Sequence, residues 1–366
     1  MRAMVIGGGV AGPVAALALR RVGWDVTVYE AYADPAGDVG SFVSLGANGL
    51  RALDAIGAAA AVTARGTAIP LLRLWSGRGR LLGETARERV TLMRGHLVET
   101  LRDLAAGAGA EVVTGRRLID VRGRSAVFDD GTRDRADLVV GADGIHSRMR
   151  TIVDPRAATP VYAGLWTIGG RSTHPVEPGA FNLTFGARAT FVHAATAHGT
   201  LWTAQVPAGR PGPAAEDVAA LFAGDRSPAT RVIERTEQWH PFTVMRRLPS
   251  TPAVHRDGMV LVGDAAHPIG AGQGASLAIE DAVVLAKCVR DAAAVDQALE
   301  AFAALRAPRT ARMLRTAGAT VDAKVAGPLA ARVRDVMMPF FFRRFAARGS
   351  AWMYDYDVDW TTPAQA

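Results

Sequence analysis

The chain opens MRAMVIGGGVAGPVAALALRRVGWDVTVYEA, and few patterns restrict a fold more. An apolar run enters Gly7, Gly9 and Gly12 in G-x-G-x-x-G order, an Ala/Leu-rich stretch follows, and a second apolar run ends at Glu30. With no spacer between these pieces, the backbone must pass from strand through a tight turn into helix and back to strand. The first glycine makes the turn, the second lets backbone approach a pyrophosphate, and the third lets the helix pack closely on the strand. Glu30, eighteen residues past Gly12, can accept from a ribose hydroxyl. The stretch therefore specifies a parallel α/β sheet with a dinucleotide site. Arg2 followed by apolar and small residues also resembles a secretory leader, but a leader would not hold so many glycines or continue into a strand ending in Glu, so cleavage is not expected.

Two later strands end in the same manner. Met259 to Val262 runs into Gly263 and Asp264, then a Gly/Pro-rich turn, then a helix patterned Leu277, Ile279, Val283, Val284. Exposed N–H groups and the dipole at such a helix start favour negative charge by about 0.3 to 1 kcal/mol. Asp264 stands at the strand end, where it can meet a hydroxyl. In LVVGADGIHSRMR a third strand delivers Asp143 to a glycine turn ahead of Arg148 and Arg150. Three glycine turns at strand ends point to one shared ligand in the crevice where open α/β sheets bind.

The rest of the chain divides around these motifs. A helix is expected through Asn48, Leu50, Leu53 and Ile56, a short β excursion over Leu71 to Leu82, and a helix carrying Leu97, Leu101 and Leu104. Arg94 opens that last helix at the end where the dipole disfavours a cation, which suits an arginine that answers an anion. Short strands are expected over 111–137 around an Asp130-Gly131 hairpin, a Trp/Phe/Thr/Val-rich meander over 161–206, a helix over 211–233 and a returning strand in QWHPFTVMRRLP. At 366 residues two domains are the natural expectation. The boundaries read 1–70, 91–157 and 250–325 for a discontinuous dinucleotide-binding domain, 71–90 and 158–249 for an inserted β-sheet domain, and 326–366 for a helical tail.

Composition excludes several classes. No apolar run reaches the roughly 18 residues that span a bilayer. The lone Cys288, on the apolar side of its helix, excludes an internal disulfide and makes a cysteine-ligated metal site implausible, so a reducing cytoplasm is the simplest location. The net charge of +7 comes from arginine, Lys287 and Lys324 being the only lysines, and no basic run interleaved with aromatics marks nucleic-acid binding.

Taken together, GGGVAG with Glu30, GADG at Gly141 to Gly144 with Arg148 behind it, and GDAAHP followed by GQG and IEDA resemble the class A flavoprotein monooxygenases, the para-hydroxybenzoate hydroxylase-like group. The resemblance runs along nearly the whole chain in order and spacing. It implies an α/β fold in which a Rossmann-like FAD-binding domain is interrupted by a β-sheet substrate domain and followed by C-terminal helices. It implies that Gly7, Gly9 and Gly12, with Ala11, hold the pyrophosphate of a non-covalent FAD, Glu30 and Ala31 the adenosine ribose, and Arg94 the ribityl-phosphate region. Asp264 would bind the ribityl chain, Gly272, Gly274, Ala275 and Ser276 would face the flavin ring, and Ser44 and Leu118 would line the cofactor. Asp143 would support both FAD and the approach of NADH or NADPH. Two departures stand out. Only Ile269, Gly270 and Ala271 separate His267-Pro268 from Gly272, and the loop at Gly37 to Gly40 lacks the family's usual arginine.

The implied activity is insertion of one atom of dioxygen into a small aromatic or polyketide-like substrate by a flavin hydroperoxide, with NAD(P)H as electron donor. An apolar lid of Trp166, Phe185, Phe191 and Trp202 would keep water out, and the same residues read equally well as sheet core. Arg188, His193 and Trp202 are the candidates for meeting substrate. His267 is read as a loop-geometry residue, Glu280 and Asp281 as helix-surface or packing groups, and Met337 to Phe345 as packed on the body rather than on a membrane. The alternatives are a reductase or dehydrogenase on the same fold that does not use oxygen, and a flavin halogenase, whose Trp-x-Trp-x-Ile-Pro signature Trp166 to Gly169 fails to match.

Overall fold

The computed structural model describes residues 1–33, 40–210, 218–269, 272–324 and 328–364, with backbone alone at 320–324, 328–331, 341, 343–348 and 350. The first unit is β1 (Arg2–Ile6), α1 (Ala11–Arg21) and β2 (Asp25–Tyr29), followed by β3 (Phe42–Gly46), α2 (Ala47–Ala55), α3 (Ala59–Ala64) and β4 (Thr67–Ala68). The chain then makes β5 (Leu71–Ser76) and β6 (Leu81–Ala86) and returns through β7 (Arg89–Met93) to α4 (Arg94–Gly107) and β8 (Glu111–Val113). A meander of β9 (Leu118–Arg122), β10 (Ser125–Phe128) and β11 (Arg133–Arg135) precedes β12 (Leu138–Gly141) and α5 (Arg148–Val153). Next come β13 (Val161–Ser172), β14 (Ala180–Phe185), β15 (Thr190–Thr196), β16 (Gly199–Pro207), a 3-10 turn at Ala219–Phe222, α6 (Ala229–Glu234) and β17 (Thr236–Arg247). The chain closes with β18 (His255–Arg256), β19 (Met259–Leu261), a 3-10 turn at Gly263–Ala265, α7 (Gly274–Asp291), α8 (Val295–Lys324) and α9 (Pro328–Tyr354).

The three strands that end in glycine turns are neighbours. The main sheet runs β18-β19-β12-β1-β2-β8, with β1, β12 and β19 side by side and parallel. Ile6 pairs with Gly141 and Gly141 with Leu261, so the three turns leave the sheet at one level. The rungs continue into the turns, since Ala142 N donates to Ile6 O at 2.8 Å and Val262 N to Gly141 O at 3.0 Å. Buried on both faces, these strands are apolar without alternation, as a parallel sheet requires. On one face α1 and α7 pack together, contributing Val14, Leu19, Ile279 and Val283 to the largest core.

The second large sheet runs β17-β13-β16-β15-β14-β5-β6, so it draws β5 and β6 from the excursion near residue 80 and the remainder from 161–247. One face carries Trp166, Phe191, Trp202 and Val206 against Leu221, Phe222, Val232 and Ile233. The single helix expected over 211–233 is corrected in part: 211–217 lie outside the described residues, and the rest forms the 3-10 turn and α6 separately. Gly224 and Pro228 interrupt the run, the proline serving as the residue before α6.

The C-terminal segment is tied to the body by charges on carbonyls. Arg309 donates to Trp352 O and Met353 O, Arg51 to Tyr354 O, and Lys287 to Val358 O at 3.0 Å. Phe342 of α9 lies over Gly83 and Arg334 over the Phe185 ring, while Val333, Val336, Met337 and Phe340 remain exposed. Among the described residues no helix is long and apolar enough to cross a membrane. Cys288 is buried in the α7 core.

Candidate functional site

The opening turn is shaped as a phosphate cradle. Gly7 has φ +107°, and a Cβ on Gly12 would lie 1.8 Å from Gly7 O, so both positions exclude side chains. Gly9 has nothing within 4 Å of where a Cβ would sit, which leaves open space over its backbone. Beyond it α1, beginning at Ala11, has no acidic residue in its first turn and no side-chain cap. Glu30 is held in place: Gly8 N donates to Oε2 at 2.7 Å and Tyr32 N to Oε1 at 2.9 Å. Arg102 of α4, which the sequence reading did not single out, donates to Gly8 O at 2.7 Å and lies 3.6 Å from Glu30 Oε2, balancing its charge. Ala31 follows Glu30 at the same strand end. Leu118 is buried against Tyr29 and Phe128, which leaves its backbone rather than its side chain to face a ligand.

The second and third turns are joined by a buried arginine. Arg150 Nε donates to Ala265 O at 2.7 Å, and its terminal nitrogens donate to Asp264 O and Ile145 O, each at 3.0 Å. Asp143 accepts from Ser147 Oγ at 2.5 Å and Met149 N at 2.9 Å, so both oxygens fasten the start of α5. Arg148 points elsewhere, onto Ile119 O. Asp264 is exposed to water at the end of its turn, with protein crowding most of its other surroundings. That crowding pushes its pKa up, against the opposing charges of His267, Arg94 and Arg150. Arg94 itself is exposed at the start of α4. Gly272, at φ +85°, has open space around it, and α7 begins at Gly274 with no side-chain cap. Ala275 packs at the edge of the core, and Ser276 Oγ accepts from Gly46 N at 3.1 Å. Ser44, two residues earlier on β3, accepts from Thr91 Oγ1 of β7 at 3.0 Å.

These features fit a flavin dinucleotide. Glycine turns without side chains meet its phosphates, fixed carboxylates its hydroxyls, and an uncapped helix start its electron-rich ring.

Of the two readings of Glu280 and Asp281, helix surface or packing, the structure selects packing. The two residues are 0% and 1% exposed, inside a closed charge cluster. Asp281 accepts from Gly263 N at 2.9 Å, Arg306 Nε at 2.8 Å and His267 Nε2 at 2.5 Å. Glu280 accepts from Asn48 Nδ2 at 2.7 Å, Arg306 Nη2 at 2.9 Å and Arg309 at 2.6 Å. The reason is tertiary: α8 lays Arg306 and Arg309 along α7, and a buried carboxylate is tolerated only with such partners. Burial opposes charge on Asp281, but His267 and Arg306 outweigh it and hold the carboxyl at about 2. Burial likewise opposes charge on His267, and Asp281 overrides it, raising the pKa. Through the bond to Gly263 N, this cluster fixes the turn that carries Asp264.

Period two sorts the substrate candidates. His193 pairs directly with Asn182 and Trp202, and lies on the face that packs under α6 with Phe191 at 5.3 Å between ring centroids. Burial drops its pKa to about 4. Trp202 is fully buried there and donates to Thr236 Oγ1 at 2.9 Å. Trp166 and Phe191 share this core, so for three of the four aromatics the structure selects sheet core over lid, and His193 is buried beside them. Arg188 is exposed in the β14–β15 turn. Phe181, next to Asn182 and so on the opposite face, meets the cofactor domain instead: its ring lies 6.4 Å from that of Phe42 and 4.7 Å from the Arg89 guanidinium. Arg89 pairs with Gly46, whose neighbour in space is the Tyr354 ring and whose N–H reaches Ser276. Arg89 Nε is buried with no hydrogen-bond partner among the described residues. Burial lowers its pKa, yet an arginine stays charged. Sequence reading missed this residue because only β7's pairing shows that it faces Phe181.

A family model described as an FAD binding domain matches residues 1–170. Among curated relatives, 3-amino-4-hydroxybenzoate 2-monooxygenase of Streptomyces cremeus is 32% identical over 87% of this chain and 86% of its own. The 3-hydroxybenzoate 6-hydroxylase of Klebsiella oxytoca is 27% identical over 98% of both. In fold, the chain is like Klebsiella pneumoniae HpxO, solved with FAD and uric acid, at a TM-score of 0.85 and 22% identity over 97% of both chains.

Proposed function

This chain belongs to the class A flavoprotein monooxygenases, and from that premise we propose that its substrate is a small aromatic compound bearing a negative charge, received by Arg89. The enzyme is FAD-dependent, uses NAD(P)H as reductant, and inserts oxygen into small aromatic molecules; an oxygen-independent reductase is not favoured. When bound, the flavin supplies the reduction and oxygen-activating chemistry. The residues of this chain bind and orient. Gly7, Gly9 and Gly12 would admit the pyrophosphate, Glu30 the ribose and Asp264 the ribityl hydroxyls, while the start of α7 would face the ring. Phe42 and Phe181 would exclude water on the substrate side.

The observation that carries the substrate proposal is a charged guanidinium whose buried Nε has no hydrogen-bond partner among the described residues, stacked on Phe181 beside the strand whose Gly46 bonds Ser276. A half-buried cation with an unpartnered donor is costly unless an anion completes it. The relatives named for hydroxybenzoates act on such anions. A cytoplasmic location belongs to the same proposal, in keeping with the buried free thiol of Cys288.

The test is NADH and NADPH oxidation by FAD-loaded protein in the presence of hydroxybenzoates and aminohydroxybenzoates, compared with their methyl esters. A true substrate should accelerate oxidation at least about tenfold, equivalent to about 1.4 kcal/mol off the barrier. One labelled atom from dioxygen should appear in the product. Equal acceleration by acids and esters would refute the role of charge, and product formed at full rate without dioxygen would refute the oxygenase reading.

A further inference from the structure

Behind the Asp264 turn lies a cavity of about 440 Å³. Its walls are Thr251 to His255, Leu261, Ala266 and the α8 residues Phe302 to Ala311, and its floor is His267, Asp281 and Arg306. None of the residues of the opening glycine turn, nor Gly272 to Ser276, lines it. The walls are mainly apolar, with Pro252, Val254, Leu261 and Phe302 forming the sides. Volume and lining are those of a small-molecule site.

Arg306 gives the cavity its chemistry. It is 4% exposed; its Nε is engaged with Asp281 and its Nη2 with Glu280, while Nη1 is buried without a hydrogen-bond partner among the described residues. The Tyr356 ring lies 5.4 Å from the guanidinium carbon. Arg306 and Arg309 both pair with Glu280, and Arg306 and His267 both pair with Asp281, so the two carboxylates are already shared and Nη1 is left without an acceptor among the described residues.

We propose that this cavity is a second binding site, for a small carboxylate carrying a flat apolar body, with Arg306 Nη1 donating to the carboxylate and Phe302, Leu261 and Val254 enclosing the body. A carboxylate there completes the guanidinium's hydrogen bonds. Because Ala266 and His267 continue the turn that carries Asp264, the occupant would sit against the back of the flavin-binding segment. The inference does not depend on the Arg89 proposal.

Calorimetric titration of the FAD-loaded protein with benzoate, and with benzamide as its neutral counterpart, tests it. Arg89→Gln should retain a benzoate-binding event that Ala303→Phe, which fills the cavity from α8, weakens at least tenfold; benzamide should bind wild type at least tenfold more weakly than benzoate. Crystals of wild type soaked in 4-bromobenzoate should place bromine between α8 and the 251–255 segment, a result that stands even if Ala303→Phe fails to fold. Unchanged benzoate binding in Ala303→Phe, equal binding of benzamide, or bromine found only beside Arg89 would overturn the proposal.

Discussion

Replacing Asp281 by asparagine removes one negative charge from a cluster closed to water and leaves Arg306 and His267 facing a neutral amide. The carboxylate is 1% exposed and takes bonds from Gly263, Arg306 and His267. Its pKa is held at about 2. A buried carboxyl that far below its ordinary value near 3.9 contributes roughly 2 to 3 kcal/mol at neutral pH. Breaking a buried pair costs about 3 to 5 kcal/mol, because the arginine stays charged. Unfolding entropy for a chain of this length is about 0.8 kcal/mol per kelvin, so Asp281→Asn should melt about 4 to 6 °C below wild type at pH 7. The sign of the pH dependence follows from the lowered pKa. The contribution is complete above about pH 4 and is lost as pH falls through about 2, so the two proteins should converge over that interval. His267 acts in the opposite sense: its pKa is raised, so its contribution is present below about pH 6.5 and is lost as pH rises through the raised value. Scanning calorimetry at fixed FAD concentration reads all of this. Melting within about 1 °C of wild type at pH 7 would refute the claim that a buried charge pair secures the turn.

Gly12→Ala would press a methyl group into a backbone oxygen, which cannot rotate aside, so α1 must withdraw and FAD affinity should fall at least about tenfold, or 1.4 kcal/mol; flavin fluorescence titration showing wild-type affinity would contradict this. Asp264→Ala should cost roughly 1.5 to 3 kcal/mol, about ten- to a hundredfold in FAD affinity, and Asp264→Asn less, because the amide still accepts a hydrogen bond. Equal FAD binding by wild type and Asp264→Ala would reject that assignment. Arg89→Gln should raise KM for an anionic aromatic by about ten- to a hundredfold while kcat changes little, since the interaction is one of binding. A KM unchanged in steady-state assays would remove Arg89 from the substrate site.

What the sequence determined by itself were the local units. The run from Arg2 to Glu30 could hardly form anything but strand, glycine turn, helix and strand, because glycine positions and apolar period are fixed by neighbouring residues alone. The repetition of that ending at Gly141 and Gly263 even announced a common ligand, and the parallel pairing of β1, β12 and β19 brings the turns together. Tertiary structure decided everything that depends on which face meets which. Phe191 and Phe181 are alike in sequence, yet one lies under α6 and the other beside Phe42, since strand order and connection choose the side. The sequence left Glu280 and Asp281 between helix surface and packing, because the arginines that bury them, Arg306 and Arg309, lie more than twenty residues away on α8. Charge burial is a long-range property: the cost of dehydrating a carboxylate is set by partners that only the folded chain assembles.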